Sequence, residues 1–156
     1  MRAVSITYKF GQLLPAPARQ AYLWCTDYKP DDLALMGMKG RRKIERLSSD
    51  TIILRETVER GGKKIRKIKL VKLDPANLSW YNIQISGPNK YSAFLYQIHP
   101  INRRMSKLNF TGLMVFYSKS QLTPRVIKEI ANAERKGDAM AWKLLAQVMA
   151  QQTKVV

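Results

Sequence analysis

The chain has 156 residues, of which 46% are hydrophobic, and a formal net charge of +17. This length suits one domain spanning residues 1–156, large enough to bury a core without disulfides. The composition excludes intrinsic disorder, and no segment approaches the roughly 20 apolar residues of a membrane-spanning helix. Because the N-terminus lacks an apolar leader and the chain has a single cysteine, the sequence predicts a soluble, cytoplasmic protein.

The positive charge is concentrated in one part of the chain. Between Lys39 and Lys72 lie thirteen Lys and Arg residues but only four acidic ones. Such an excess is typical of proteins that contact anionic membranes, nucleic acid or acidic proteins, and also of surfaces adapted for solubility. Lys39, Arg41, Arg42 and Lys43 form the candidate polyanion-binding segment, through which the protein could lie peripheral to a membrane. No zinc finger or recognition helix is visible, so specific reading of bases is not expected.

The first predicted elements are one strand and two short helices. Residues 3–10 alternate between apolar and polar side chains, which predicts a strand. Pro15 and Pro17 favour the first turn of a helix over the residues that follow. Asp31 and Asp32 indicate the start of a second short helix, because negative charge in a first turn complements the helix dipole.

Six strands in succession come next. They are predicted at residues 42–47, 51–60, 63–73, 78–86, 91–101 and 105–117. Gly61 and Gly62 are a two-residue hairpin signal between two of these strands. Short turns throughout predict an antiparallel meander. Alternation breaks at Ile68, Leu70 and Val71, which indicates a β-bulge nearby.

A single long helix closes the predicted elements. Thr123 is a capping residue and Pro124 suits the first helical position, and the pattern continues to about Gln152. Gly137 and Asp138 interrupt its apolar stripe, either as a kink or as a break at which Asp138 caps a second half. One helix covers seven strands only if the sheet curls around it. The sequence therefore predicts an α+β fold with space for a cavity between the curved sheet and the helix.

This order of elements resembles the helix-grip fold of the START and Bet v 1-like superfamily, also called the polyketide cyclase/dehydrase and lipid-transport (SRPBCC) superfamily. The resemblance covers nearly the whole chain. Four segments carry it: SITYKF at 5–10, ARQAYLWCTDYKP at 18–30, RKIERLSSDTIILRETVERGGKKIRKIKLVKLDP at 42–75 and SGPNKYSAFLYQIHP at 86–100. These segments are specific for the superfamily and not for one function.

The resemblance implies a ligand cavity, while leaving the ligand and any chemistry open. Members of the superfamily bind sterols, phospholipids, quinone precursors, polyketides or plant hormones, and a minority are cyclases or hydrolases. Since one fold carries many functions, the resemblance alone selects none of them.

Alternation along the strands and spacing along the helix give the candidate cavity lining. It comprises Trp24, Leu54, Glu56, Tyr81, Ile83, Phe94, Tyr96, Phe110, Met114, Met140, Leu144 and Leu145. Such a lining favours binding or transport of a small hydrophobic or lipid-like ligand, and the alternative is a fully packed core. A polyanion-binding protein and an enzyme are the other two hypotheses.

The enzyme hypothesis depends on Glu56, which shares a strand face with apolar residues. A carboxylate in an apolar cavity would have a raised pKa and could act as a base, with Tyr96 or Tyr81 donating a hydrogen bond, as in a cyclase or dehydratase. The alternative is a salt bridge with an inward Arg or Lys. His99 is expected at the surface and Cys25 as a small buried group, so no catalytic set, metal site or cofactor is predicted.

Overall fold

The computed structural model describes residues 1–153, in which one antiparallel sheet curves around one long helix. The strands are β1 Arg2–Leu14, β2 Gly40–Arg46, β3 Thr51–Arg60, β4 Lys63–Asp74, β5 Ser79–Ser86, β6 Ala93–Pro100 and β7 Ser106–Ser118. The helices are α1 Ala18–Cys25, α2 Asp32–Leu35 and α3 Pro124–Thr153, and a 3₁₀ turn at Pro75–Asn77 joins β4 to β5. None of these helices is long and apolar enough to cross a membrane.

The strand order in the sheet is β1-β7-β6-β5-β4-β3-β2, so β2 to β7 form a meander and β1 closes against β7. This confirms the predicted α+β helix-grip architecture with two short helices after the first strand. The predicted hairpin turn is present, with positive φ at Gly61 and Gly62, and the register between β4 and β5 shifts at Ile68 and Lys69, where a bulge was predicted.

Aromatic side chains hold the helices against the inner face of the sheet. The Trp80 ring on β5 stacks on Tyr96 of β6, with ring centroids 4.7 Å apart. Tyr22 of α1 meets the Trp80 ring edge-on, and Trp142 of α3 lies 6.3 Å from it. These contacts fix α1 and α3 over β5 and β6, because aromatic pairs add directional packing to the burial of apolar area.

Helix α3 is continuous through Gly137 and Asp138, so the break at which Asp138 would cap a second half is not present. Its sheet-facing side includes Glu134, Asp138 and Trp142, which are spaced four residues apart. The apolar stripe predicted for α3 is therefore rotated relative to the face that contacts the sheet. As a result the prediction for Met140 is wrong, since its side chain is 55% exposed.

Strand β5 presents the opposite face from the one predicted. Trp80, Asn82 and Gln84 are buried under α3 and α1, whereas Tyr81 is 39% exposed and Ile83 lies on the outer side of the sheet. The predictions of Tyr81 and Ile83 as cavity residues are therefore wrong. The inward face of β5 was assigned from the hydropathy of Tyr81 and Ile83. The burial of the large Trp80 ring instead turns the other face of the strand inward.

The outward residues of β5 continue across the neighbouring strands. Tyr81 pairs in register with Leu95, and Ile83 shares a row with Leu113 through Ala93. We call Tyr81, Ile83, Leu95 and Leu113 the outer apolar strip. Tyr81, Leu95 and Leu113 are each about 40% exposed, so the strip is an open feature of the sheet exterior.

Candidate functional site

A cavity of two adjoining lobes lies between the sheet and the helices. The α3 lobe, beside Glu134, Asp138 and Ala141, has a volume of about 90 Å³, and the α1 lobe, beside Trp24 and Tyr28, about 80 Å³. Five residues line both lobes: Met36, Arg42, Lys69, Tyr96 and Trp142. Each lobe has room for several waters or a small organic group, which is below the roughly 300–1,000 Å³ of ordinary ligand pockets.

Most of the predicted lining residues lie at this cavity. Trp24, Leu54 and Leu145 line the α1 lobe, Glu56, Phe94, Phe110 and Met114 line the α3 lobe, and Tyr96 lines both. Leu144 is partly buried on α3 but lines neither lobe. Of the two residues weighed for other chemistry, His99 is exposed as expected, and Cys25 lies partly buried at the α1 lobe.

A buried network of charges crosses the floor of the cavity. One oxygen of Glu56 accepts hydrogen bonds from Arg42 at 2.7 and 2.9 Å, and the other lies 2.9 Å from Lys69 Nζ. Arg42 also lies 3.5 Å from Asp32. The side chains of Glu56 and Arg42 are only 2% and 6% exposed, so these ion pairs are largely removed from water.

The network decides what Glu56 can do. Burial alone would raise the pKa of Glu56, but the charges and hydrogen bonds of Lys69 and Arg42 lower it to about 2. Glu56 therefore stays ionised and is a poor base near neutral pH. The salt bridge, which was the alternative for this residue, is the arrangement found, and Tyr81 on the outer face cannot assist Glu56.

The same network removes one residue from the candidate polyanion-binding segment. Arg42 pairs in register with Glu56 on the inner face of the sheet, so its guanidinium is not available at the surface. Lys39, Arg41 and Lys43 are exposed. The prediction of Arg42 as a polyanion contact is wrong because alternation along β2 turns it inward.

Two amide side chains of β5 bring unsatisfied polar atoms into the cavity. Asn82 lines the α1 lobe and Gln84 the α3 lobe, and both residues are buried. Asn82 Nδ2 donates to Tyr96 Oη at 3.3 Å, but Asn82 Oδ1 and Gln84 Nε2 have no hydrogen-bond partner. An unpaired buried polar group costs about 1–3 kcal/mol, a cost that a polar group placed in the cavity would offset.

A tyrosine and an aspartate meet at the wall of the α3 lobe. Tyr8 of β1 donates a hydrogen bond of 2.5 Å to Asp138 of α3. Burial raises the pKa of Asp138 above its usual range, although Tyr8 and the nearby lysines partly oppose this shift. Gly112 makes room for Tyr8, since a β-carbon there would lie 2.9 Å from the tyrosine ring. The pair can hold or exchange a proton at a carboxyl group that faces the cavity.

Further charges face one another across the α3 lobe without touching. Lys67 and Arg60 lie on the sheet side and Glu134 lies on α3. Within residues 1–153 none of these three forms an ion pair at 4 Å or less. The lobe is therefore bordered by both signs of charge, in contrast to the mainly apolar lining that was predicted.

Sequence reasoning missed the polar residues of the cavity, although one signal was present. On β4 the inward positions include Lys67 and Lys69, in register with Glu56 and Leu54. A strand that places two lysines on the side of its buried neighbours indicates a polar cavity rather than an apolar one. No comparable signal exists for Asp138, because helical spacing alone did not fix which face of α3 meets the sheet.

Comparison with solved structures places this fold among known proteins. The aromatase/cyclase Zhui from Streptomyces sp. R1128 matches with a TM-score of 0.80 and 14% identity over 96% of both chains. Norcoclaurine synthase from Thalictrum flavum, in complex with dopamine and hydroxybenzaldehyde, matches with a TM-score of 0.70 and 13% identity over 96% of this chain and 88% of that one. A START superfamily protein from Mycobacterium smegmatis matches with a TM-score of 0.68 and 18% identity over 96% and 98%.

These likenesses confirm that the chain has the START/Bet v 1-like helix-grip fold. At identities of 18% or less they bear on the fold alone. No family model and no curated protein sequence matches the chain. The function must therefore be argued from the cavity itself.

Proposed function

We propose that this protein binds a small amphipathic molecule in the cavity between the sheet and α3. The observation that carries the proposal is the pair of buried amides, Asn82 and Gln84, each with an unpartnered atom. Acceptor and donor are both offered: Asn82 Oδ1 needs a hydroxyl or N–H, and Gln84 Nε2 needs an oxygen. A ligand with neighbouring polar groups would satisfy both atoms.

The rest of the lining suits a flat apolar body attached to those polar groups. Phe94, Phe110 and Trp142 border the α3 lobe, and Trp80 borders the α1 lobe. The limited volume and the ion pairs favour a small aromatic molecule over a long lipid chain. The ligands named for the norcoclaurine synthase structure, dopamine and hydroxybenzaldehyde, are small aromatic molecules with polar substituents, which supports a ligand of this kind.

Replacing Gln84 by Met should weaken ligand binding while making the protein more stable. The variant keeps the length of the side chain but removes the unpaired amide, so the free energy of unfolding should rise by about 1 kcal/mol. Loss of a hydrogen bond to the ligand should lower affinity roughly 3–10-fold. Native mass spectrometry of the purified protein, titration with the extracted ligand and urea unfolding measure these effects.

Gln97→Met on the outer face of β6 is the matched control, because Gln97 is exposed. It should leave both binding and stability unchanged. If Gln84→Met is less stable than the wild type and binds equally well, the amide is a structural group and the proposal loses its main support. A wild-type protein that retains no ligand and takes up no small aromatic probe would contradict the proposal directly.

The second candidate function is acid–base catalysis on the bound molecule, and Tyr8 with Asp138 favours it. Both Glu56 and Asp138 line the α3 lobe, but only Asp138 has a raised pKa and a hydrogen bond from a phenol. The aromatase/cyclase named among the structural neighbours is consistent with an enzyme of the cyclase or dehydratase kind.

If the protein is an enzyme, Asp138→Asn should lower turnover by about 100-fold or more, since a positioned acid or base contributes about 10²–10⁴. The affinity of Asp138→Asn for the extracted ligand should change far less than its turnover. Tyr8→Phe should also lower turnover. Conversion of that ligand is followed by mass spectrometry, with Glu129→Gln on the exposed side of α3 as the control. Ligand that is recovered unchanged after incubation with the wild type would exclude this candidate.

A further inference from the structure

Lys67 is the one inward lysine of β4 without a counter-ion among the described residues. Lys69, two positions further along, lies 2.9 Å from Glu56, but no carboxylate oxygen lies within 4 Å of Lys67 Nζ in residues 1–153. Burial, and then the positive charges of Lys69 and Arg60, lower the pKa of Lys67 to about 8. The protein thus holds a partly buried ammonium group at the α3 lobe at a free-energy cost that the more distant carboxylates of Glu56 and Asp138 offset only in part.

A second unsatisfied donor lies beside Lys67. Gln84 Nε2 on the neighbouring strand β5 lacks an acceptor. Gly87 lies against both residues, because a β-carbon there would be 3.2 Å from Gln84 Nε2 and 3.4 Å from Lys67 Cα. Gly87 has φ +107°, a conformation that other residues rarely adopt, so the close approach depends on glycine. Gln84 is also in register with Lys69, two positions from Lys67, so two donors without acceptors line the same end of the α3 lobe.

We propose, building on the proposed function, that this end of the α3 lobe binds the carboxylate of a small organic acid between Lys67 Nζ and Gln84 Nε2. A carboxylate supplies acceptors for both donors and a charge that offsets the lysine. Of the other nearby cations, Arg42 and Lys69 are already paired with Glu56, whereas Arg60 is exposed at the end of β3.

The opposite wall argues for a single negative charge on the ligand. Glu134 and Asp138 of α3 face the same lobe, and burial raises the pKa of both. A dianion such as a phosphate would meet these acids with only one unpaired lysine and Arg60 to balance it. A monoanion is compensated by Lys67, and its apolar body then lies towards Phe94 and Trp142.

Carboxylate binding at Lys67 should depend on pH in one direction. The charged groups facing Lys67 are Lys69 on its own strand, Arg60 and Glu56 on β3, and Glu134 and Asp138 on α3. In the free protein Lys67 loses its proton near pH 8, and a bound carboxylate favours the protonated form. Affinity for the acid should therefore fall as pH rises above about 8, by up to tenfold per pH unit, while affinity for a neutral analogue stays constant.

The test compares 4-hydroxyphenylacetate with its neutral amide, 4-hydroxyphenylacetamide, by isothermal titration calorimetry at pH 7. The wild type should bind the acid about tenfold or more tightly than the amide. Lys67→Met should abolish this preference by weakening the acid only, and Lys67→Arg should restore most of it. Lys64→Met is the matched control, because it removes the same charge from an exposed position of the same strand and should leave the preference intact.

The outcomes separate this inference from the proposed function. Equal binding of acid and amide by the wild type, or a preference that survives Lys67→Met, overturns the carboxylate site while small-molecule binding stands. If Lys64→Met also removes the preference for the acid, that preference comes from the overall charge of the protein, and the carboxylate site is overturned. If the wild type binds neither compound, both the site and the proposed binding of small aromatic molecules are contradicted.

Discussion

Glu56→Gln will lower the free energy of unfolding at pH 7 by about 3–5 kcal/mol, one of the two largest effects expected for this protein. The substitution leaves Lys69 without its counter-ion and Arg42 with only the more distant Asp32, and breaking a buried ion pair from one side costs about that much. Urea unfolding followed by Trp fluorescence measures the change. The control is Glu45→Gln, whose ion pair with Arg55 is exposed and 3.7 Å long, and which should cost under about 1 kcal/mol.

The dependence of this effect on pH is a further check on the same variant. The pKa of Glu56 is lowered from 4.5 to about 2 in the folded protein, so the unfolded chain binds the proton more tightly. Its contribution is complete above about pH 4.5 and is lost as pH falls towards 2. The difference in stability between wild type and Glu56→Gln should therefore shrink over that range. A difference that is small at pH 7, or constant with pH, would contradict the buried network.

Trp80→Ala will lower the free energy of unfolding by about 3–5 kcal/mol, as expected when a large buried aromatic side chain is removed. The Trp80 ring is 2% exposed and contacts Tyr22, Tyr96 and Trp142. Tyr81→Ala on the next position of β5 should cost under about 1 kcal/mol, because Tyr81 faces outward. Unfolding curves of the two variants decide which face of β5 is buried. If Tyr81→Ala is the more damaging change, the orientation of β5 is wrong.

Much of the fold could be predicted because local signals and the topology agree. The prolines before α1 and at the first position of α3, the Gly61 and Gly62 turn, and alternation along most strands place the elements within a few residues of their positions. The broken alternation of β4 also indicated the bulge at Ile68 and Lys69. The curvature of the sheet could be predicted because one helix cannot cover a flat sheet of seven strands.

The polar cavity could not be predicted for a physical reason. Sequence patterns assign faces by hydropathy, but this protein places Asn82, Gln84 and Lys67 inside and Tyr81 and Ile83 outside. Such an inversion is tolerated only where buried polar groups find partners within the protein or in a ligand. Sequence predictions of the core assume that apolar side chains face inward and polar ones outward, and a polar cavity of this kind breaks that assumption.

The outer apolar strip also has a consequence for the behaviour of many copies of the protein together. Tyr81 and Leu95 belong to one row of register partners that crosses the sheet. Lys72 lies beside Tyr81 towards one end of this row, and Lys9 lies at the other end. Lysines in such places oppose face-to-face stacking of sheets, and the net charge of +17 repels a second molecule over the roughly 8 Å Debye length of physiological salt. The basic exterior thus opposes association through the exposed apolar strip, and we expect the protein to stay monodisperse at high concentration.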